Sequence, residues 1–300
     1  MRPLSHGPES KRWMNYQTNI QWLDGGRILA ECGPMRLVIA AWLGGIPQRE
    51  LCIRAAEEAF LLLERIARHR RLLSRRYQEM PDDLDNFQSL KMIRSVLAVD
   101  PTLTPMAAVA GTIADGVASF LSRRGMTRVI VNNGGDVAIR TAPGESVKVG
   151  IRPSLSRGDI ADILTVGGER PSWGVATSGL EGRSLTRGVA SAATIIAGSA
   201  SLADAAATAV ANASYVDDNT VIQRPAEELD EQTDIPGMAV TIKAGPFTEE
   251  KKDLALSQAM KKAEALINKG LVYGAYIVVD GKVMMTDFVG HRLIKLPKSI

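Results

Sequence analysis

The chain has 300 residues, 45% hydrophobic and 23% charged, with a formal net charge of +3, which is globular material long enough to bury a full core and carries no global basic field of the kind that marks a nucleic-acid binder. Two cysteines, Cys32 and Cys52, make neither a disulfide framework nor a zinc cage, and the three histidines, His6, His69 and His291, lie too far apart in sequence to suggest a His-rich metal site or a His-dependent triad. Residues 1–17 carry Arg2, Glu9, Lys11 and Arg12 and no apolar stretch, and nowhere do about 18 uncharged apolar residues run together, so neither a signal peptide nor a membrane span is expected and a cytoplasmic protein is the simplest reading.

Residues 27–43 read as two short strands, the better one being 36–42, which is β-branched and aromatic; Gly44, Gly45 and Pro47 end it. A long helix is expected over about 48–79, with Leu51, Ala55, Ala59, Leu62, Ile66 and Leu73 on one stripe. Arg65, Arg68, Arg70, Arg71, Arg75 and Arg76 crowd its second half, as a solvated face or, in the sharper reading, an anion site. A loop at 80–88 and a shorter helix at 88–98 follow. Pro105 opens an Ala/Gly-rich helix over 105–124, in which Met106, Val109, Ile113, Val117 and Phe120 recur at helical spacing. Strands at 128–131 and 137–140 flank an Asn-Asn-Gly-Gly-Asp turn. Further strands are expected at 146–151, 161–166, 175–177 and 193–197, and a second Ala-rich helix at 201–213. Residues 214–247 form a polar excursion, acidic over 217–234, with one strand at 239–242. A charged amphipathic helix at 248–269 leads into a hairpin, 275–279 and 282–287, turned by Asp280-Gly281. This mixture predicts one α+β domain over 1–300 with mixed sheets, a variable polar segment at 214–247 and a C-terminal helix plus hairpin at 248–300, rather than a doubly wound fold.

Four constellations can carry chemistry. In Asn132-Asn133-Gly134-Gly135-Asp136, two glycines after a buried strand let a ligand approach the main chain, and exposed amides can hold phosphate oxygens; the plainer alternative is a tight hairpin turn. Asp204 and Thr208 share one helix face and offer hard oxygens suited to Mg²⁺. The alternative there is a Ser201/Asp204 capping box with the Thr208 hydroxyl bonded back to its own helix. Thr177-Ser178-Gly179 can line a narrow pocket or form an edge turn; with the histidines remote, a serine nucleophile is a weak reading. Asp115, on a helix otherwise poor in charge, wants a partner or a ligand unless it faces solvent.

Taken together, the runs Ala-Gly-Thr-Ile-Ala-Asp (110–115), Val-Ile-Val-Asn-Asn-Gly-Gly-Asp-Val (129–137), Val-Ala-Thr-Ser-Gly (175–179) and Leu-Ala-Asp-Ala-Ala-Ala-Thr-Ala (202–209) resemble the ApbE family, whose members use FAD and Mg²⁺ to attach FMN to a Thr or Ser of target proteins. The run 105–111 and the 201–208 helix look closer still to its sister group, uncharacterised protein family 0280. The resemblance covers residues 100–215 well and the flanks loosely. It implies an ApbE-like fold, metal ligands at Asp204 and Thr208 with a backbone carbonyl near Ala107, and an FAD or FMN site with Asp115, Asn133, Gly134, Gly135, Asp136, Thr177, Ser178 and Gly179 around the ligand. Two departures stand out. The transferases usually carry a Lys where this chain has Ala110, and a His-His-Ile-Ile-Asp-Pro stretch where it has residues 180–189, a segment bearing Arg183 and Arg187 instead. Those arginines, four apart, could clamp an anionic group or be plain surface charges. Three functions follow: a Mg²⁺-dependent enzyme acting on a flavin or nucleotide-like phosphoester, a binder of a flavin or small anionic metabolite without FMN transfer, or an enzyme on an unrelated metabolite. Nucleic acid and membrane are the least favoured partners, and the long 48–79 helix leaves room for a homodimer.

Overall fold

The computed structural model describes residues 17–82, 84–152, 162–180, 182 and 184–295. Its centre is a large antiparallel sheet of β1 (Thr18–Trp22), β2 (Ile28–Cys32), β3 (Met35–Leu43), β5 (Arg128–Asn133), β6 (Asp136–Thr141), β9 (Ser172–Ser178), β10 (Ala192–Ala197), β13 (Val272–Val279) and β14 (Lys282–Met285), in that spatial order, with β4 (Ile46–Pro47) paired to β3. A second sheet, β7 (Ser146–Ile151), β8 (Asp162–Gly167) and β15 (Leu293–Lys295), covers part of one face. The helices cover the other: α1 (Arg49–Arg68), α2 (Arg70–Leu73), α3 (Phe87–Val99), α4 (Val109–Ser122), α5 (Ala200–Ala213) and α6 (Glu249–Asn268). A ribbon of β11 (Ile222–Pro225) and β12 (Ala239–Lys243) and a short α7 (Asp287–Gly290) complete the described residues. The α+β expectation holds, and every strand pair is antiparallel.

The expected 48–79 helix breaks at His69, where the backbone leaves helical geometry and only a single further turn follows. Arg65, Arg68, Arg70 and Arg71 within two turns repel one another, which disfavours a continuous helix there. Two members of the Arg run hold the 214–247 segment, Arg70 bonding Gln232 and Arg76 reaching the Met238 sulfur, while Arg68 pairs with Glu64 on its own helix. β1 and β11 were not foreseen; both are short and largely exposed, so they lack the apolar alternation that marks a strand.

Because side chains alternate along a strand, the sheet sorts its residues into two cores. Val129, Val131, Ala138, Ala176, Ala193 and Ile195 face the helices. Val137, Ile139, Trp173, Val175, Ala192 and Ile196 face the small sheet. α4 packs on β5 and β6, α5 on β9 and β10, and the two helices on each other. Pro105–Ser122 has the length and apolar composition of a membrane span, yet 56% of it is buried within the fold, which its position between α1, α5 and the sheet explains.

A buried polar pair joins the two sheets: the Tyr276 hydroxyl donates to Asp162 Oδ2 at 2.9 Å. Burial and the neighbouring Asp162 carboxylate both push the phenol's pKa up. Tyr276→Phe leaves that acid without its donor and is expected to cost about 1–3 kcal/mol, read as a lowered urea midpoint with an unchanged m-value.

Candidate functional site

The site grows from the contact between α4 and α5. Asp115, 1% exposed, accepts four hydrogen bonds. Lys91 Nζ reaches Oδ2 at 2.7 Å and Arg140 Nη2 reaches Oδ1 at 3.0 Å. The amides of Ala200 and Ser201, the first two residues of α5, donate at 3.1 and 3.0 Å. These amides have no acceptor within their own helix, and a carboxylate there also meets the positive end of the helix dipole. Burial alone would raise the Asp115 pKa, but the charges of Lys91 and Arg140 and the donated hydrogen bonds outweigh it and leave the carboxyl below its ordinary value. The expectation that Asp115 stands beside a bound nucleotide is therefore corrected: its oxygens are committed to the protein.

One turn earlier on α4, Gly111 meets α5 again. Its amide donates to Asp204 Oδ2 at 2.9 Å. A Cβ on Gly111 would lie 2.2 Å from the Ala200 carbonyl oxygen and 2.9 Å from Asp204 Cβ, so only glycine allows the approach. The capping-box alternative for Ser201 and Asp204 falls, because Ser199 caps α5 through Leu202 N. The back-bonding alternative for Thr208 falls too: half-buried, its hydroxyl makes no hydrogen bond among the described residues. Ala107 sits in the 3₁₀ turn Pro105–Ala108, packed against α5.

The Gly134-Gly135 turn is a two-residue hairpin loop with both glycines at positive φ, 67° and 120°. The hairpin reading holds. Gly135 N is taken by Asn132 Oδ1 at 2.8 Å, so that amide is not offered to a phosphate, which corrects that part of the expectation. The flanking residues matter more. Asn133 shares the helix-facing side with Val129 and Val131, and its Nδ2 donates to the Ala110 carbonyl at 3.2 Å. Asp136 shares that side with Ala138 and Arg140 and acts on Asp204: burial, then the Asp136 charge, push the Asp204 carboxyl well above the usual range.

Strand parity splits the Thr-Ser-Gly run. Thr177 lies on the side of Trp173 and Val175 and bonds Thr194 Oγ1 at 2.8 Å, so it faces away from Asp204 and leaves the predicted pocket. Ser178 falls on the helix side, buried, with its hydroxyl unpartnered among the described residues. The pairing Val137↔Val175, continued by three residues, sets Ser178 level with the Gly134-Gly135 turn. Gly179 serves packing: at φ 151°, a Cβ would lie 2.5 Å from the Ser191 carbonyl. Arg183 lies outside the described residues. Arg187 is exposed, and its main chain is tied to Asn212, Gln223 and Thr241.

Asn133, Asp136 and Asp204 thus meet around Ala110 and Gly111, with Thr208 one turn on from Asp204 and Ser178 on the same side of the sheet, level with the hairpin turn. No cluster of three or more His, Cys, Asp or Glu that could hold a metal occurs among the described residues. A cation here would rest on Asp204 with hydroxyl and carbonyl oxygens, the donor set of a hard ion such as Mg²⁺. The donors fit: a carboxyl whose charged form is disfavoured by burial and a second acid gains from a bound cation, and the Thr208 hydroxyl is unpartnered among the described residues.

An antiparallel α+β fold with an acidic rim of oxygen donors defines the class. A family model described as AbpE bacteria matches residues 20–285, and the chain belongs to that family. The UPF0280 protein of Methanocaldococcus jannaschii is 33% identical over 169 residues, which is 55% of this chain and 66% of the relative. That of Methanopyrus kandleri is 43% identical over 148 residues, 46% of this chain and 56% of the relative. The chain therefore spans about half to two thirds of the length of these relatives. The crystal structure of the apbe protein from Thermotoga maritima superposes with a TM-score of 0.51 at 15% identity over 93% of this chain and 99% of that one, which shows the ApbE fold.

Asp115→Asn removes the charge that holds Lys91, Arg140 and the start of α5, and is expected to destabilise by about 3 kcal/mol at neutral pH. Since the folded pKa is depressed, the stability its charge provides is complete above the unfolded value near 3.8 and is lost as the pH falls below it through the folded pKa. Urea melts from pH 7 to pH 2 should therefore show the wild type converging on the Asn variant at the acid end.

Proposed function

We propose that the chain binds a flavin nucleotide, or another nucleotide-like phosphate ester, together with Mg²⁺ at the rim of Asn133, Asp136, Ser178, Asp204 and Thr208. The observation that carries this reading is the state of Asp204. It is fixed by the Gly111 amide, disfavoured as a free carboxylate by burial and Asp136, and followed one turn later by a hydroxyl that has no partner among the described residues. Asp204 and Thr208, with a main-chain oxygen near Ala107, would hold the ion, which when bound neutralises phosphate charge. The chain's own residues do the positioning. Asn133 ties the hairpin to Ala110, and the exposed Gly134-Gly135 turn lets a ligand lie close to the backbone.

FMN transfer to a Thr or Ser of a target protein is the reaction that family membership suggests for this rim. A second reading, binding without transfer, is supported by Ala110 and by residues 186–190. No lysine stands at position 110 to meet a phosphate. Residues 186–190 are laced onto the end of α5: Asn212 Oδ1 takes Arg187 N, and Ser214 Oγ takes Val189 N and Ala190 N, each at 2.8 Å.

Asp204→Asn keeps the side chain's shape and removes its charge. Calorimetric titration with FAD in Mg²⁺ is expected to show affinity falling at least tenfold, about 1.4 kcal/mol; unchanged Mg²⁺ and FAD binding would sink the proposal. Intact-mass analysis of a Thr/Ser-containing target peptide incubated with chain, FAD and Mg²⁺ then separates the readings, a mass gain of one FMN meaning transfer.

A further inference from the structure

At the end of the large sheet away from that rim, an apolar tip stands in solvent. The alternation that puts Leu37, Ile39 and Ala41 in the core beneath the helices continues to Leu43, the last residue of β3, which is 47% exposed. The Gly44-Gly45 turn sends the chain back as β4 and sets Ile46, 66% exposed, opposite Leu43 on the same face. Residues 43–47 are exposed without a break, and a Cβ added to Gly44 or Gly45 would meet no atom within 4 Å, so the hairpin projects. β1 ends alongside it. Trp22, 56% exposed, lies opposite Ile28 on the face of Leu43 and Ile46. The turn that follows Trp22 packs on β4 so closely that a Cβ on Gly26 would lie 2.7 Å from the Pro47 Cβ. Single exposed apolar residues are ordinary, but a contiguous group on one projecting end marks a contact surface.

The charge around this tip is in basic excess. Arg49, the first residue of α1, stands 5.8 Å from the centre of the Trp22 ring. Arg27 follows the turn at 24–26. Arg123 and Arg124 leave the end of α4 on the loop whose Thr127 hydroxyl accepts from the Gly44 amide at 3.1 Å. All four arginines are exposed, and the acids on these loops are Asp24 and Glu50. Arg128 and Glu145, next along, neutralise each other at 3.1 Å.

We propose that this end of the sheet is a peripheral docking surface for an anionic lipid bilayer. Leu43 and Ile46 enter the boundary of the acyl chains, the Trp22 indole sits at headgroup depth, and the surrounding guanidinium groups meet lipid phosphates. Charge complementarity and the projecting shape favour this occupant, since a protein hot spot is seated in a pocket rather than on a spur. The contact lies on a membrane and does not cross it. It is independent of the nucleotide reading, because Arg128 opens β5 at this end and Asn133 closes it at the other.

The test is co-sedimentation of the full chain with vesicles of phosphatidylcholine alone and of equal parts phosphatidylcholine and phosphatidylglycerol. Partition onto the mixed vesicles is expected to exceed that onto the neutral ones by about tenfold and to weaken as salt is raised. Indole emission should shift to shorter wavelength on the mixed vesicles, by less in Trp22→Phe. Ile46→Asp, and Arg123→Gln combined with Arg124→Gln, change exposed positions and should each lower that partition several-fold with the circular-dichroism melt unchanged. Absence of saturable binding to the mixed vesicles, equal partition onto both kinds, or undiminished binding in both Ile46→Asp and the double arginine variant overturns the proposal. A dimer in light scattering that Ile46→Asp dissolves would overturn it too, by assigning the tip to a second copy of the chain.

Discussion

The buried Asp115 carboxylate gathers a lysine from α3, an arginine from β6 and two amides from the first turn of α5 around a single side chain of α4. Four elements distant in sequence meet there, and the rest of the site inherits their positions. With the first turn of α5 held, the helix can only run past Gly111, and Asp204 arrives against the Gly111 amide one turn later. The close approach needs both ends: a carboxylate to satisfy the helix start and a residue without Cβ where the backbones nearly touch. Such a contact tolerates little change, because a buried ion pair that loses one member leaves the other charges uncompensated.

The sheet supplies the other half of the rim by parity. A β-hairpin with a two-residue loop places the residues on either side of its turn directly opposite each other, so Asn133 and Asp136 emerge on the same face. Whether that face meets the helices or the small sheet is decided further along the strands, by Val129 and Val131 packing under α4. The same alternation divides neighbours on β9, giving Ser178 to the helix side and Thr177 to the other. Three adjacent residues that look like one motif in the sequence thus have three different jobs: a packed Thr pair, an orphaned hydroxyl and a glycine that admits the next strand.

Much of this was legible beforehand. The 3.6-residue stripe of the 105–124 segment and the Ala-rich run at 201–213 announced two core helices, and the double glycine announced the hairpin. Asp204 and Thr208, four residues apart, had to share a face. What the sequence could not disclose was pairing at long range. Asp115 read as an acid in want of a partner or a ligand, and which of the two it had was hidden because its partners stand 24, 25, 85 and 86 residues away. Ser201 and Asp204 matched a capping box, yet the helix began two residues earlier, capped by Ser199, and its first two amides dock on Asp115. The break at His69 was hidden by an apolar stripe that continues through it to Leu73.

Two acids on facing helices, 89 residues apart in sequence, one buried and one partly buried, end in opposite electrostatic states. Asp115 is surrounded by donors and cations, its pKa is depressed, and its capacity for further bonds is spent. Asp204 has two amides and an acidic neighbour, its pKa is raised, and among the described residues no cation pairs with it. Folding alone selects arrangements like the first, since a paired charge in the interior stabilises and an unpaired one does not. An arrangement like the second lowers stability unless something from outside completes it. Carboxyls displaced in this way concentrate at functional sites, and the glycine that permits the contact and the asparagine that fixes the adjoining hairpin hold this one in place, which is the energetic ground for proposing a ligand at the rim.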